Sequence, residues 1–186
     1  MNLTIRNMTG IAIMTALCCI LGPFTVPIGP VPVSLSTLAI FLCVYVLGTR
    51  DAVFAVGLYI LLGLFGLPVF SGFAGGFAKV FGPTGGYIVG YLFLAVISGW
   101  FIDRFPAKRI YLHLVGMLLG EAVLYVFGTA WFMLLMQMPL KEALLLCVVP
   151  FIPFDLVKMG LATALGIGVR TALTKSGLVD YAGNER

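Results

Sequence analysis

Long apolar windows recur along the whole chain with little between them but Gly, Pro or an isolated charge, at about residues 8–21, 33–47, 52–67, 85–102, 110–136 and 142–173. No water-soluble core of this size can bury so much apolar surface. Composition agrees: 61% of residues are hydrophobic and 10% charged, with a mean hydropathy of +1.14. The reading is an all-α membrane protein of six transmembrane helices, one integral membrane domain over residues 1–186 with a flexible cytoplasmic tail from about 175. Several windows are short for a full crossing, so tilted or broken helices are expected, with non-helical backbone buried in protein.

This patterning excludes several function classes. The net charge of +4 comes from basic residues scattered singly between apolar runs, not from a stripe with interleaved aromatics, so nucleic acid is set aside. Cys18, Cys19, Cys43 and Cys147 fall inside apolar segments without a CxxC or Cys/His cluster and read as buried small hydrophobes. His113, the single histidine, has no neighbours at metal-ligand spacing, and no GxSxG, HExxH or nucleotide-binding motif is present. No metal, no cofactor and no catalytic residue is expected. Arg6 before an apolar run imitates a signal segment, but Leu17 precedes Cys18 where a lipobox needs a small residue, and the first window is read as a retained span.

Lysine and arginine set the orientation, since cytoplasmic segments carry the excess. Arg6, Arg50, Arg104, Lys108, Arg109, Arg170, Lys175 and Arg186 share one side of a six-span bundle, against Lys79 and Lys141 on the other, which places both termini in the cytoplasm. The outer links 22–34 and 66–86 are long, crowded with Gly and Pro and nearly uncharged. Apolar loops left in water expose surface at a cost, so these are expected to fold onto the helices and cap a ligand pocket. No repeat of 20 to 50 residues and no inverted repeat stands out.

Within the spans, ionisable residues mark the candidate site. Asp155 and Lys158 sit in PFIPFDLVKMG, where a charge at mid-helix costs about 2.5 to 3.5 kcal/mol on insertion scales, so both should face the bundle interior. Three residues apart, they lie on one helix face. They can act as an internal ion pair that packs helices, or offer an acceptor and a donor to a polar ligand head; the second is preferred. Pro150 and Pro153 are expected to break the helix just before Asp155 and free backbone carbonyls. Glu121, four residues before Tyr125, either pairs with Lys158 or holds a proton in an apolar setting, and packing and ligand roles stand level for it. Gly75, Gly76 and Lys79 suit either a lid whose amides and ammonium meet a small carboxylate or a simple re-entrant turn. Phe73, Phe77, Tyr87, Tyr125 and Trp131 are candidate pocket walls, though most aromatics in such a chain face lipid or core. Ala12 and Ala16 form a small-xxx-small pattern that lets another helix approach closely.

VPIGPVPVSLSTLAIFL, GLYILLGLFGLPVFSGFAGGFAKVFGPTGGYIVGY and PFIPFDLVK, in that order and spacing, resemble the BioY family, the biotin-specific substrate-binding (S) components of energy-coupling-factor (ECF) transporters. The likeness extends to about residue 173, and Ser36 stands where the family usually has glutamine before the Thr-Leu pair. The resemblance implies a six-helix protein of the prokaryotic cell membrane that binds biotin from outside under its first and third loops. It also implies a transmembrane coupling subunit docked on the alanine pattern of Ala12 and Ala16, and two ABC-type ATPase subunits that alone use ATP. Asp155, Lys158, Lys79, Gly75, Gly76, Tyr87, Glu121 and Tyr125 become the expected substrate-binding residues, with Asp155 accepting from ureido N–H and Lys158 donating to the ureido oxygen or the carboxylate. The competing reading is a stand-alone secondary transporter of a small carboxylate vitamin with Glu121 and Asp155 carrying protons. An intramembrane enzyme finds no support in the motifs.

Overall fold

The computed structural model describes residues 5–27 and 31–176. The tail expected to be flexible, Arg186 included, lies almost wholly outside the described residues, as does part of the first Gly/Pro-rich link. The chain is mostly helical: α1 (Ile5–Leu21), α2 (Ser36–Leu47), α3 (Thr49–Leu64), α4 (Phe77–Val80), α5 (Gly85–Arg104), α6 (Ile110–Met136), α7 (Leu140–Cys147) and α8 (Ile152–Lys175). By length and composition α5, α6 and α8 can cross a membrane, while α1 and α2 are shorter apolar helices. The 12 residues of α2 rise only about 18 Å, against roughly 30 Å of bilayer hydrocarbon.

That short helix is the centre of the packing. Ala39, Ile40, Phe41, Cys43, Val44 and Tyr45 of α2 are completely buried, and α2 touches α1, α3, α5 and α8. The exterior is apolar, with Leu134 76% and Val126 72% exposed. An apolar exterior over an equally apolar core is the pattern of a protein whose solvent is lipid. The α5–α6 pair packs along most of its length, because a glycine lets an aromatic ring lie on the facing backbone: a Cβ at Gly128 would stand 2.4 Å from the Tyr87 ring.

One end of the bundle is held by charge. Gly48 joins α2 to α3 at φ +76°, the left-handed region that suits glycine. Beside it the Asp103 carboxylate accepts from Thr49 N–H (2.7 Å) and Thr49 Oγ1 (2.6 Å), and Arg170 lies 3.6 Å away. At the opposite end, here termed the loop end, two departures from the sequence reading occur. First, the fold is not purely α: β1 (Thr25–Val26) and β2 (Val33–Ser34) pair antiparallel, Thr25 against Ser34 and Val26 against Val33. The pairing gives an otherwise unpaired loop backbone its hydrogen-bond partners, three of the four residues being β-branched, and Val31, Val33 and Ser34 are buried. The second Gly/Pro-rich link is tied to this ribbon by Gly72 N–H to the Pro23 carbonyl at 3.1 Å and by the Phe24 and Phe73 rings, 5.8 Å apart.

Second, the last apolar window is two helices, α7 and α8, not one. The interruption lies over residues 148–151, before Pro153 rather than at it. Pro153 occupies the first turn of α8, where its missing N–H is no loss. The expected break before Asp155 is present: Phe151 N–H turns to the Val148 carbonyl, and the freed Cys147 carbonyl accepts from the Tyr87 hydroxyl at 3.4 Å, while Asp155 N–H donates to the Phe151 carbonyl at 2.9 Å. Asp155 stands in the first turn of α8, where the partial positive charge of a helix N-terminus favours a carboxylate.

Candidate functional site

Because α8 begins beside the ribbon, its first two turns deliver Asp155 and Lys158 to the interior at the loop end. Both are buried, 3% and 6% exposed. Lys158 Nζ pairs with Asp155 Oδ1 at 2.7 Å. It also donates to the Ser34 carbonyl of β2 at 2.6 Å and to Thr37 Oγ1 of α2 at 3.3 Å. Asp155 accepts in addition from Thr37 Oγ1 at 3.3 Å and from the Tyr125 hydroxyl of α6 at 2.5 Å. All three ammonium protons and both carboxylate oxygens are therefore engaged by protein groups. The internal ion pair that the sequence also allowed is thus formed, and its remaining bonds are completed by Ser34, Thr37 and Tyr125.

Glu121 is the exception. It is 3% exposed, one turn before Tyr125 on α6, and among the described residues neither carboxylate oxygen has a hydrogen-bond donor. It lies within electrostatic reach of both Asp155 and Lys158.

These groups line one side of a cavity of about 50 Å³. Ser34, Thr37, Glu121, Tyr125, Asp155 and Lys158 form its polar side, and Val31, Tyr59, Phe70, Ile88, Tyr91 and Phe151 much of the rest. The walls are themselves braced. Tyr87, also lining, meets Thr129 Oγ1 at 3.1 Å and donates to the Cys147 carbonyl at 3.4 Å, joining α5, α6 and α7. The Tyr59 hydroxyl donates to the Val69 carbonyl at 3.1 Å, and its ring meets Phe70 edge-on at 5.5 Å. Ser36 is buried and held locally, accepting from Ser34 Oγ at 3.0 Å and standing 3.4 Å from the Tyr59 hydroxyl.

Of the residues expected at a binding site, the fold brings together Asp155, Lys158, Glu121, Tyr125 and Tyr87. Gly75, Gly76 and Lys79 are outside this lining. A Cβ at Gly75 would stand 2.2 Å from the Leu67 carbonyl oxygen, and Gly76 N–H donates to the Gly63 carbonyl at 2.7 Å; both shape the loop. Lys79 is half-buried on α4, and burial pushes its ammonium below the usual lysine range. Phe73 and Phe77 are exposed, and Trp131 Nε1 donates to the Gly82 carbonyl at 3.0 Å. Ala12 and Ala16 are exposed on α1, opposite its buried Ile11, Met14, Thr15 and Cys18. His113 is buried toward the charged end, between the Tyr45 hydroxyl and the Phe105 carbonyl. Among the described residues no group of three His, Cys, Asp or Glu side chains could hold a metal ion.

Sequence reasoning missed Thr37, the Ser34 carbonyl, Tyr59 and Tyr91. The Ser-x-Ser-Thr run opening α2 was a usable signal for Thr37, since hydroxyls at the start of an apolar helix need partners. A main-chain carbonyl has no such signature.

A model of the BioY family matches residues 1–175. The biotin transporter BioY2 of Lactococcus lactis subsp. cremoris is 36% identical over 173 residues, 93% of this chain and 94% of that protein. The biotin transporter BioY of Thermotoga maritima is 34% identical, over 89% of this chain and 96% of its own. A crystal structure of the S-component for biotin from an ECF-type ABC transporter superposes with a TM-score of 0.82 at 31% identity, covering 91% of this chain and 95% of that one.

Proposed function

This chain belongs to the BioY family, and from that premise we propose that it is the biotin-binding S component of an ECF transporter. It captures biotin outside the cell and delivers it inward with a transmembrane coupling subunit and two ABC-type ATPases. It is a transport component of the cell membrane, not an enzyme. In this reading α1, α2, α3, α5, α6 and α8 are the six spans and the loop end faces outward. The positive-inside distribution of Lys and Arg supports that orientation and cytoplasmic termini. The exposed Ala12 and Ala16 offer the coupling subunit a close-approach face.

One observation carries the assignment of the site: the buried Asp155–Lys158 pair lines a cavity beneath the ribbon that sets a polar side against aromatic and aliphatic walls. Biotin combines an apolar bicycle with a ureido head that donates and accepts, and a valerate ending in a carboxylate. Asp155 accepts from a ureido N–H and Lys158 donates to an oxygen of the ligand, while Tyr59, Tyr87, Tyr91 and Phe70 cover the bicycle. Because the pair is already engaged, binding is an exchange, in which the ligand takes over hydrogen bonds now made by the Ser34 carbonyl, Thr37 and Tyr125. The cavity, about 50 Å³, is well below the roughly 300 Å³ at which ligand pockets begin. Admitting biotin therefore requires the ribbon and the 66–76 loop to move away from the helices.

Equilibrium binding of labelled biotin to the purified protein tests this reading. Tight binding that is lost in Asp155→Asn and Lys158→Ala, with uptake into vesicles only when the coupling subunit, the ATPases and ATP are added, is the expected result. Proton-driven uptake by the purified chain alone would replace it with the secondary-transporter reading.

A further inference from the structure

We propose that Glu121 works as a neutral carboxylic acid, pairing through its O–H and its carbonyl oxygen with the adjacent oxygen and N–H of the ureido head. The inference rests on the biotin reading above and assigns the end of the ligand that meets the polar wall.

Among the described residues Glu121 lacks a hydrogen-bond donor, and no unmatched cation faces it. Lys158, the nearest counter-charge, spends its three protons on Asp155, Thr37 and the Ser34 carbonyl, and the Tyr125 hydroxyl is given to Asp155. Asp155 and Lys158 pair with each other, so an ionised Glu121 would be a buried net charge with no unmatched counter-charge beside it. It would also have no donor among the described residues. An isolated buried carboxylate without counter-charge or donor neutralises instead of paying its desolvation. The titratable groups around it are Tyr125 on its own helix, Tyr91 on α5, and Asp155 and Lys158 on α8, with Tyr87 lining the same cavity. None of them supplies a positive charge that is not already matched.

The ligand's chemistry fits that state. A five-membered cyclic urea carries N–H and C=O side by side on each edge. A protonated carboxyl presents the complementary acceptor and donor on one edge, so two parallel hydrogen bonds form without charge. A carboxylate would accept the N–H but set its second oxygen against the ureido oxygen, with no proton between them. Asp155, beside Glu121 in the polar wall, remains the acceptor for the other N–H. Two acids of one cavity thus differ in role because Lys158 and the start of α8 serve Asp155 and not Glu121.

The test uses the full chain in nanodiscs, with biotin as ligand at pH 7. Glu121→Gln keeps a donor–acceptor edge and is expected to bind within about threefold of the parent, whereas Glu121→Ala should bind at least 30-fold more weakly. Infrared difference spectra on adding biotin should show a protonated-carboxyl stretch that shifts, and Glu121→Gln should lack it. Loss of binding in Glu121→Gln equal to that in Glu121→Ala would assign the ionised form and overturn the proposal. So would full binding by Glu121→Ala, or the absence of any protonated-carboxyl band perturbed by biotin in the parent. The infrared measurement decides if Glu121→Ala fails to fold. A parent protein that does not bind biotin refutes the functional reading itself, which keeps the two failures apart.

Discussion

Lys158 connects three elements, and its removal separates its structural from its binding role. In Lys158→Ala, Asp155 keeps hydrogen bonds from Thr37 and Tyr125 but loses the ammonium 2.7 Å away, and the Ser34 carbonyl loses its donor. Breaking a buried pair from one side costs about 3 to 5 kcal/mol of stability. Losing a desolvated polar contact to the ligand weakens binding by about 2 to 5 kcal/mol, or roughly 30- to 4,000-fold. The double variant Asp155→Asn/Lys158→Met separates the two effects, because it leaves no uncompensated charge. Its thermal stability should return close to that of the parent, since apolar or neutral replacement of a buried ion pair is often neutral. Its affinity for biotin should stay lost. Thermal unfolding in detergent and equilibrium binding of labelled biotin, run on the parent, Asp155→Asn, Lys158→Met and the double variant, give both numbers. A double variant that regains binding with its stability would refute the reasoning, because the pair would then be a packing device only; undiminished affinity in Lys158→Ala would do the same.

Gly128→Val should lower thermal stability by about 1 to 3 kcal/mol, because a Cβ there collides with the Tyr87 ring; an unchanged melting temperature would show that α5 and α6 do not pack as described. Asp103→Ala deprives Thr49 N–H and Oγ1 of their acceptor and should cost about 1.5 to 3 kcal/mol of stability, leaving biotin affinity unchanged because it stands at the opposite end from the cavity. Burial holds the Lys79 ammonium below the usual lysine range, so the folded state binds fewer protons there than the unfolded state. Stability should rise as pH increases from the lowered value to about 10.4, and Lys79→Met should abolish that rise in pH-dependent melting while leaving biotin affinity within threefold. Ala12→Leu, on the exposed face of α1, should leave biotin binding intact and abolish ATP-dependent uptake in vesicles carrying the coupling and ATPase subunits.

Much of this was legible in the one-dimensional pattern because transfer into lipid is summed along a contiguous window. Apolar runs bounded by Gly, Pro and charge located the long helices to within a few residues, and Asp155, Lys158 and Glu121 stood out because ionisable groups are rare in such runs. The short ribbon was harder, since its strands are two residues each and periodicity needs a longer run to register. Pro150 and Pro153 marked the break before Asp155, but not that Pro153 opens the next helix, since a proline that stops one helix and a proline that starts another look alike until the hydrogen bonds around them are known.

Sequence by itself determined that this chain is helical and apolar, with three ionisable residues that must turn inward, because those consequences follow from the cost of placing each residue type in hydrocarbon. Only the tertiary structure decided how the three are paired. Thr37 and Ser34 reach Asp155 and Lys158 across separations of 118 and 124 residues, and one of those partners is a main-chain carbonyl with no residue-specific signature. That pairing saturates the aspartate and the lysine and, among the described residues, leaves the glutamate without a donor, a distinction that depends on where four elements converge.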